Sequence, residues 1–449
     1  MKNMYPSIAL GIWASLFVTL VIASSAGAGP VTGAGGPQPL VHLAPISVVK
    51  NVTVGVRPTG VVYDPANQEV YVSNTGANTV SVLNGSTNKV VATVKVGTHP
   101  DALLYDPTNR EMYVLNSGSN SISVLSTSNK VLATASIRGT IFELPIYDPA
   151  NGDVYVLSSA YVPPLTFDYN LSKIDHHTNN VTLIKVGAGP NYAIYDNATT
   201  EVVVSNGGAS SVSFVNSSTN AVTTVKLTTG TIPLWMVYDA RNQEVYALDE
   251  GSFTKATPGY VSVFSTSHTV VASVKVADRP VTATVDPVNG EVVVVNTGVP
   301  NSTTGAYPAT TLNVISSLNK LTATVKVGHE GFYAIWSPST QDFYIPCEQS
   351  NATYVLNGTT NLLLSKPLAT GQYPVAAFYD PGRGEMLVVG NSNTTGTPTK
   401  TVVTLLTSAN KVAGTLLLGK GPTGGGAYDP KNSDVYASDE GANELSILH

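Results

Sequence analysis

The sequence predicts an all-β fold assembled from one repeated unit, and three observations lead to this prediction. A tripeptide similar to Tyr-Asp-Pro recurs along the 449 residues, and each copy is followed by short apolar runs separated by turn residues. Charged residues make up only 12% of the chain and hydrophobic residues 43%, with 39 glycines, which is typical of strands and turns.

The middle residue of the recurring tripeptide, which we call the anchor, marks each copy of the unit. Anchors are separated by 42 residues (Asp64 to Asp106) at the least and by 51 residues (Asp286 to Ser337) at the most, the range of a four-stranded propeller blade. The anchors are Asp64, Asp106, Asp148, Asp196, Asp239, Asp286, Ser337, Asp380 and Asp429. They predict a single β-propeller of nine four-stranded antiparallel blades, or of eight if the weak copy around Ser337 is an insertion.

The first copy shows the unit most clearly. Its predicted strands run from Pro58 to Tyr63, Glu69 to Asn74, Thr79 to Leu83 and Lys89 to Val96, with turn or loop residues between them. The last copy has no fourth strand, but Ser47 to Gly55 repeats the fourth-strand pattern. We therefore expect this N-terminal strand to pair with Glu444 to Leu448 and to close the ring.

The second strands connect the chain to a known family. Val70-Tyr71-Val72-Ser73-Asn74, Met112-Tyr113-Val114-Leu115-Asn116 and Val154-Tyr155-Val156-Leu157-Ser158 each follow an Asp-Pro turn. This pattern resembles the YVTN-type β-propeller repeats of archaeal and bacterial surface proteins. The resemblance covers roughly residues 45 to 449 and implies a propeller at the cell surface. Members of that family often have seven blades, so seven is a further alternative.

The N-terminal residues predict export. Lys2 gives a positive start, Ile8 to Ala23 is almost entirely apolar, and Ala26-Gly27-Ala28 offers a small-residue cleavage site. We interpret residues 1–28 as a signal peptide or an N-terminal membrane anchor, 29–44 as a linker and 45–449 as the propeller. The propeller is then secreted or held at the cell surface, and Cys347, the single cysteine, has no internal disulfide partner.

Several function classes lack support in the sequence. The net charge is −6 and no block of basic residues occurs, so nucleic acid is not an expected partner. No nucleophile elbow, metalloprotease helix, phosphate loop or paired metal-binding cysteines occur, so we expect no catalytic residue, no metal and no cofactor. The adjacent His176 and His177 are interpreted as a solvated pair near a turn.

A second repeated feature is acidic. Five residues after every anchor stands Asp or Glu, as at Glu69 and Glu244. Because a residue present in all copies serves the fold rather than one site, we interpret this ring as structural. Its expected partners are turn N–H groups or the lysines Lys89, Lys130, Lys320 and Lys411.

The candidate binding residues differ between blades. In an up-and-down blade, the loops between second and third strands share one face with the blade-to-blade connections, and the longest insertions all fall on this face, called the loop face below. Its connections vary in chemistry and line the expected channel mouth with basic and aromatic side chains, which suits an anionic or sugar-like ligand. The candidates are Arg57, His99, Tyr192, Trp235, Arg279, His329 and Tyr333.

Export makes the Asn-x-Ser/Thr sequences candidate glycosylation sites. They are Asn51, Asn84, Asn170, Asn180, Asn197, Asn216, Asn301, Asn351, Asn357 and Asn393. The sequence thus favours a non-enzymatic binding, adhesion or envelope scaffold whose partner is a protein, a glycan or a small anion. A propeller enzyme of lyase or hydrolase type, with its site at the channel mouth, is the alternative.

Overall fold

The nine-bladed propeller is confirmed. The computed structural model describes residues 46–141, 144–162, 166–229, 232–251, 256–364, 366–391, 400–419 and 425–449. In these residues the chain forms nine antiparallel sheets, each of them one blade. Within a blade, the strands follow chain order from the innermost to the outermost, except in the last blade.

The first four blades follow one another along the N-terminal half of the chain. Blade 1 contains β2 (Pro58–Asp64), β3 (Glu69–Asn74), β4 (Thr79–Asn84) and β5 (Lys89–Lys95). Blade 2 contains β6 (Pro100–Asp106), β7 (Glu111–Asn116), β8 (Ser121–Leu125) and β9 (Val131–Ser136). Blade 3 contains β10 (Thr140–Ile141), β11 (Ile146–Tyr147), β12 (Val154–Val162), β13 (Thr166–Ile174) and β14 (Val181–Lys185). Blade 4 contains β15 (Pro190–Asp196), β16 (Glu201–Asn206), β17 (Ser211–Asn216) and β18 (Val222–Lys226).

The remaining blades repeat the same order of strands. Blade 5 contains β19 (Pro233–Asp239), β20 (Glu244–Asp249), β21 (Pro258–Phe264) and β22 (Val270–Asp278). Blade 6 contains β23 (Pro280–Val285), β24 (Val292–Asn296), β25 (Ala309–Ile315) and β26 (Leu321–His329). Blade 7 contains β27 (Ile335–Ser337), β28 (Asp342–Cys347), β29 (Ala352–Asn357) and β30 (Leu368–Ala369). Blade 8 contains β31 (Pro374–Asp380), β32 (Glu385–Asn391), β33 (Thr401–Leu406) and β34 (Val412–Leu417). Blade 9 contains β35 (Gly426–Asp429), β36 (Asp434–Asp439), β37 (Glu444–Leu448) and β1 (Val48–Thr53).

Helical structure in the described residues is limited to single 3-10 turns in the loops between second and third strands. These turns are Ser117–Ser119, Gly207–Ala209 and Glu348–Ser350. No helix among the described residues combines the length and the apolar character needed to cross a bilayer.

The apolar core lies between the blades. The middle strands are buried on both faces, as in β3, where Val70, Tyr71 and Val72 are fully buried. Nine apolar clusters result, one at each junction between neighbouring blades. The outermost strands are exposed on much of their length, as in β5. Each blade is therefore stabilised mainly by its neighbours.

The predicted closure is confirmed. Strand β1 pairs antiparallel with β37, with Val52 opposite Leu445 and Thr53 opposite Glu444. Val52 is 8% exposed and packs into the cluster between blades 9 and 1, whereas Ile46 packs into the cluster between blades 8 and 9. The strand thus supplies both hydrogen bonds and apolar contacts to the last blade.

Two blades depart from the regular unit. In blade 7, the weak copy around Ser337 forms a true blade, but its outer strand is only β30, because Pro367 lacks the N–H that a longer ladder needs. In blade 3, residues that the sequence places in an inserted loop instead lengthen β12 and β13 to nine residues each. Apolar and polar residues alternate along β13, which favours a strand, and the lengthened hairpin lies on the loop face.

We predict that removing β1 destabilises the ring. A chain beginning at Arg57 should unfold at a lower temperature than a chain beginning at Ile46, because β37 loses its partner strand and an apolar junction opens. Thermal unfolding followed by circular dichroism measures the difference. In the full chain, Val52→Ala should cost about 1 to 2 kcal/mol, whereas Val49→Ala, at an exposed position of the same strand, should be near neutral. Equal unfolding temperatures for the two truncations would contradict the closure.

Candidate functional site

The acidic ring links neighbouring blades through asparagines. Glu69 of blade 1 accepts a hydrogen bond from the side-chain amide of Asn129 in blade 2, at 3.1 Å, and Tyr71 donates to the carbonyl oxygen of that amide at 2.6 Å. Asn129 lies in the turn between third and fourth strands with a φ of 60°, a conformation that asparagine tolerates better than most residues. The ring is therefore structural, as predicted.

The same hydrogen-bonded link recurs around the molecule. Glu244, Tyr246 and Asn319 form it between blades 5 and 6, and Asp434, Tyr436 and Asn88 form it across the closure. The expected lysine partners were wrong, since Lys89, Lys130, Lys320 and Lys411 form no ion pair within the described part of the chain. At these turns the carboxylates are therefore held by hydrogen bonds from neutral amides and not by ion pairs.

One junction carries a histidine in this role, and blade 3 has a histidine contact within the blade. His268 stands where other blades have asparagine, and its Nε2 lies 2.7 Å from Glu201. In blade 3, His176 lies 3.3 Å from Asp153 and is largely buried. The interpretation of His176 and His177 as a solvated pair is thus wrong for His176, because its side chain is only 11% exposed and lies against Asp153 of the same blade.

The connections on the loop face are held in a fixed conformation. The N–H of Gly55 donates to the side-chain oxygen of Asn74, and a Cβ at Gly55 would lie 2.5 Å from that side chain, so only glycine fits. Two residues later, Arg57 has a φ of 53°, and His99 and Arg279 repeat this conformation at 51° and 57°. The connections therefore present their side chains at equivalent places in different blades.

Two candidate arginines are engaged by glutamates of the preceding blade. The Nε of Arg279 donates to Glu250 at 2.7 Å, and the two side chains are 12% and 2% exposed. Arg57 lies 3.8 Å from Glu440 and is 56% exposed. Burial raises the pKa of Glu250, and the Arg279 guanidinium opposes this effect. Neutralisation by Glu250 disfavours an anionic ligand at Arg279.

A tyrosine in the long loop of blade 6 connects two of the candidates. Tyr307 lies under the Arg279 guanidinium, 5.8 Å from ring centroid to Cζ, and its hydroxyl accepts a hydrogen bond from Arg279 at 3.4 Å. Its carbonyl oxygen lies 2.8 Å from Nδ1 of His329, and its ring packs edge-on against Phe332. Arg279 and His329 are thus brought to one place by a residue that the sequence pattern does not single out.

The other candidates are described by different contacts or by their exposure. Tyr192 and Trp235 stack on each other with ring centroids 4.1 Å apart, and both pack against the apolar clusters of blades 4 to 6. Tyr333 is half-buried at the equivalent place in blade 7, and His99 is exposed on blade 2. That all seven residues line one channel mouth stays a prediction.

Blade 7 carries two carboxyl groups close to Tyr307. The N–H of Glu348 donates to the carbonyl oxygen of Glu330 at 3.0 Å, and Gln349 links the Glu330 carboxyl to the N–H of Tyr307. Burial and the neighbouring Glu330 carboxylate raise the pKa of Glu348 to about 7. Burial also raises the pKa of Glu330. We call Glu330, Glu348, Gln349, Tyr307 and His329 the blade-7 cluster.

A signal for these contacts is present in the sequence. The triplet Asp-Glu-Gly occurs at 249–251 and 439–441, in the two blades that precede the blades with Arg279 and Arg57. Each glutamate lies in a loop between second and third strands, and its arginine lies in the connection that leads to the following blade. A comparison of each loop with that connection pairs the glutamates with the arginines, whereas a comparison of the same loop between blades does not. Tyr307 leaves no such signal because its loop is unique. No group of three or more potential metal ligands occurs among the described residues.

The candidate glycosylation sites differ in exposure. Asn170 is 1% exposed within β13, whereas five of the asparagines are exposed. The exposed ones are Asn51, Asn180, Asn197, Asn301 and Asn351. Asn84, Asn216 and Asn357 are half-buried, and Asn393 lies outside the described residues, as do the predicted leader and linker.

Comparisons with known proteins identify the fold alone. No family model and no curated protein match the sequence. The structure of dihydro-heme d1 dehydrogenase NirN matches 82% of this chain and 78% of its own, with a TM-score of 0.57 and 12% identity. The Dos1 propeller matches 76% of this chain and 92% of its own, with a TM-score of 0.56 and 11% identity.

A weaker likeness is to virginiamycin B lyase from Staphylococcus aureus, which covers 67% of this chain and 96% of its own. Its TM-score is 0.43 at 11% identity, too low to support an argument. The first two proteins share a fold with this chain, and fold by itself does not determine function.

We predict that the two interblade ion pairs differ greatly in their effect on stability. Arg279→Leu should lower the free energy of unfolding by about 3 to 5 kcal/mol, because it leaves Glu250 buried without its partner. Arg57→Leu removes an exposed contact at the equivalent position and should cost less than about 1 kcal/mol. Urea titrations of both variants measure the difference, and similar losses would show that burial does not set the strength of the pairs.

We predict that stability falls as the pH rises from 5 to 8. The pKa of Glu348 is raised in the folded state to about 7, so the folded protein keeps a proton that the unfolded chain releases. The resulting stabilisation is complete below the unfolded pKa and is lost as pH rises through 7. Glu348→Gln should match the parent near pH 5 and unfold at a higher temperature at pH 8. If the unfolding temperatures of the two proteins changed with pH in parallel, this role of Glu348 would be excluded.

Proposed function

We propose that this chain is an exported, non-enzymatic binding scaffold of the cell surface or envelope, a member of the YVTN-type propeller family that contacts its partner through the loop face. One observation carries the proposal. The polar residues common to all blades hold neighbouring blades together, whereas the side chains and loop lengths that differ between blades lie on the loop face. A face that differs from blade to blade on a repetitive scaffold favours a role in binding a partner over a purely structural role.

The shape of the loop face supports a macromolecular partner. The hairpin of β12 and β13 lies on it, and Phe167 near the hairpin end is exposed beside Tyr169, with ring centroids 6.0 Å apart. Aromatic rings on an exposed hairpin suit contact with a protein or a glycan. The hydrophobic N-terminal residues and the exposed sequons support a location outside the cytoplasm.

One observation favours the alternative of a lyase or hydrolase. Glu330 and Glu348 are adjacent carboxyls with raised pKa values, an arrangement that enzymes use for general acid catalysis. Loss of a hydrolytic or eliminating activity in Glu348→Gln, without loss of folding, would favour the enzyme.

Surface labelling tests the proposed location. We expect a membrane-impermeant amine reagent to label Lys95, Lys226 and Lys326 on intact cells that produce the protein natively, because these lysines lie exposed on outer strands. Peptide mass spectrometry identifies the modified residues, and a cytoplasmic protein of the same cells serves as the unlabelled control. Labelling that appears only after the cells are broken would refute a surface location.

Glycopeptide mapping of the native protein provides a second readout. Asn197 and Asn301 are exposed and should carry glycans, whereas Asn170 is buried in β13 and should be bare. Ten unmodified asparagines would remove glycosylation as support for the proposal, and a glycan on Asn170 would show that modification precedes folding.

A further inference from the structure

Three blades carry a glutamate at the same place, and in two of them it has an arginine partner. Glu250, Glu348 and Glu440 each stand eleven residues after an anchor, at Asp239, Ser337 and Asp429. The partner position lies in the connection to the following blade, seven residues before the anchor of that blade. For Glu250 this residue is Arg279, and for Glu440 it is Arg57.

At the third junction the arginine is missing. The residue equivalent to Arg279 and Arg57 is Tyr373, whose N–H donates to Asn351 and whose φ of 47° is that of the other connections. No lysine or arginine of the described residues forms an ion pair with Glu348 or Glu330. Blade 7 thus keeps the carboxylate of the repeated pair, adds a second one in Glu330, and lacks the guanidinium.

The blade-7 cluster is open to solvent on the loop face. Glu330 and Glu348 are half-buried, and the flanking His329 and Gln349 are exposed, so a ligand can reach the carboxyls. By contrast, the Glu250 carboxyl is covered by its own blade and by Arg279. Within the cluster, the Tyr307 ring packs against Phe332, and Arg279 already lies over the Tyr307 ring. Planar guanidinium groups combine such stacking with two hydrogen bonds to a carboxylate.

We propose that the Glu348 and Glu330 carboxylates bind the guanidinium group of an external ligand, the group that Arg279 and Arg57 supply from within the chain to Glu250 and Glu440. This inference rests on the proposed function in treating the loop face as the binding face. Ionised carboxylates are required, and the raised pKa of Glu348, about 7, therefore makes binding tighter at pH 8 than at pH 5.5. The ligand class is an arginine side chain of a protein partner or a small alkylguanidine.

Calorimetric titration of the purified full chain with N-acetyl-arginine amide at pH 8 tests the site, and agmatine is the small-molecule probe. We expect saturable binding, weakened at least tenfold by Glu348→Gln. Tyr373→Arg should abolish it and raise the unfolding temperature, because the introduced arginine restores the pair present at the two equivalent junctions. Tyr373→Gln is the matched control and should keep both binding and stability near those of the parent.

The outcomes separate the alternatives. Tighter binding of the arginine amide favours a protein partner, and tighter binding of agmatine favours a small ligand. The inference is overturned if neither probe shows saturable binding. It is also overturned if Tyr373→Arg and Glu348→Gln leave the binding unchanged. If Tyr373→Arg does not fold, Glu330→Gln and Glu348→Gln decide it by the same titration. Surface labelling is independent of these variants, so a failed titration with a labelled surface refutes the site and leaves the scaffold proposal standing.

Discussion

The structure depends on contact between one blade and the next. A single sheet of this chain is apolar on both faces and cannot be stable in water alone, so every blade needs two neighbours. The contact is partly apolar and partly polar. Tyrosine, asparagine and carboxylate groups fix the register of one sheet on the next, because each hydrogen bond joins a second strand to a turn of the following blade. This requirement explains why most polar residues that resemble a functional set belong to the scaffold.

The polar and aromatic side chains that do not belong to these repeated contacts have a distinct chemistry. On the loop face, the side chains that differ between blades form buried or exposed ion pairs, an aromatic stack and a pair of carboxyls without a cation among the described residues. The difference between Glu250 and Glu348 is informative. The two glutamates occupy the same position of the repeat, and Glu250 has an arginine partner whereas Glu348 forms no ion pair among the described residues. Repetition within one chain therefore serves as an internal comparison, and an exception to the repeat is where a binding function is best sought.

The sequence predicted the architecture well because periodic patterns encode it. Anchor spacing predicted the blades, and the absence of a fourth strand after Glu444 predicted the closure by β1. The site was predicted less well, since its contacts join residues of different blades and depend on side-chain direction. Arg279 was selected, but its partner Glu250 was not, and the stacking of Trp235 on Tyr192 was not predicted. Tyr307 lies in a loop without a counterpart, so no comparison between copies could select it.

The closure by β1 also orders events in time. Asn51 and Ser446, which touch across the last blade, are 395 positions apart along the chain. During synthesis, β1 is made before the other strands of the ring and has no partner until β37 is made. Loop closure over nearly the whole chain is slow compared with the formation of a hairpin within one blade. We therefore expect the blades to assemble first as an open arc. The pairing of β1 with β37 then forms last, and it is the first to open on unfolding.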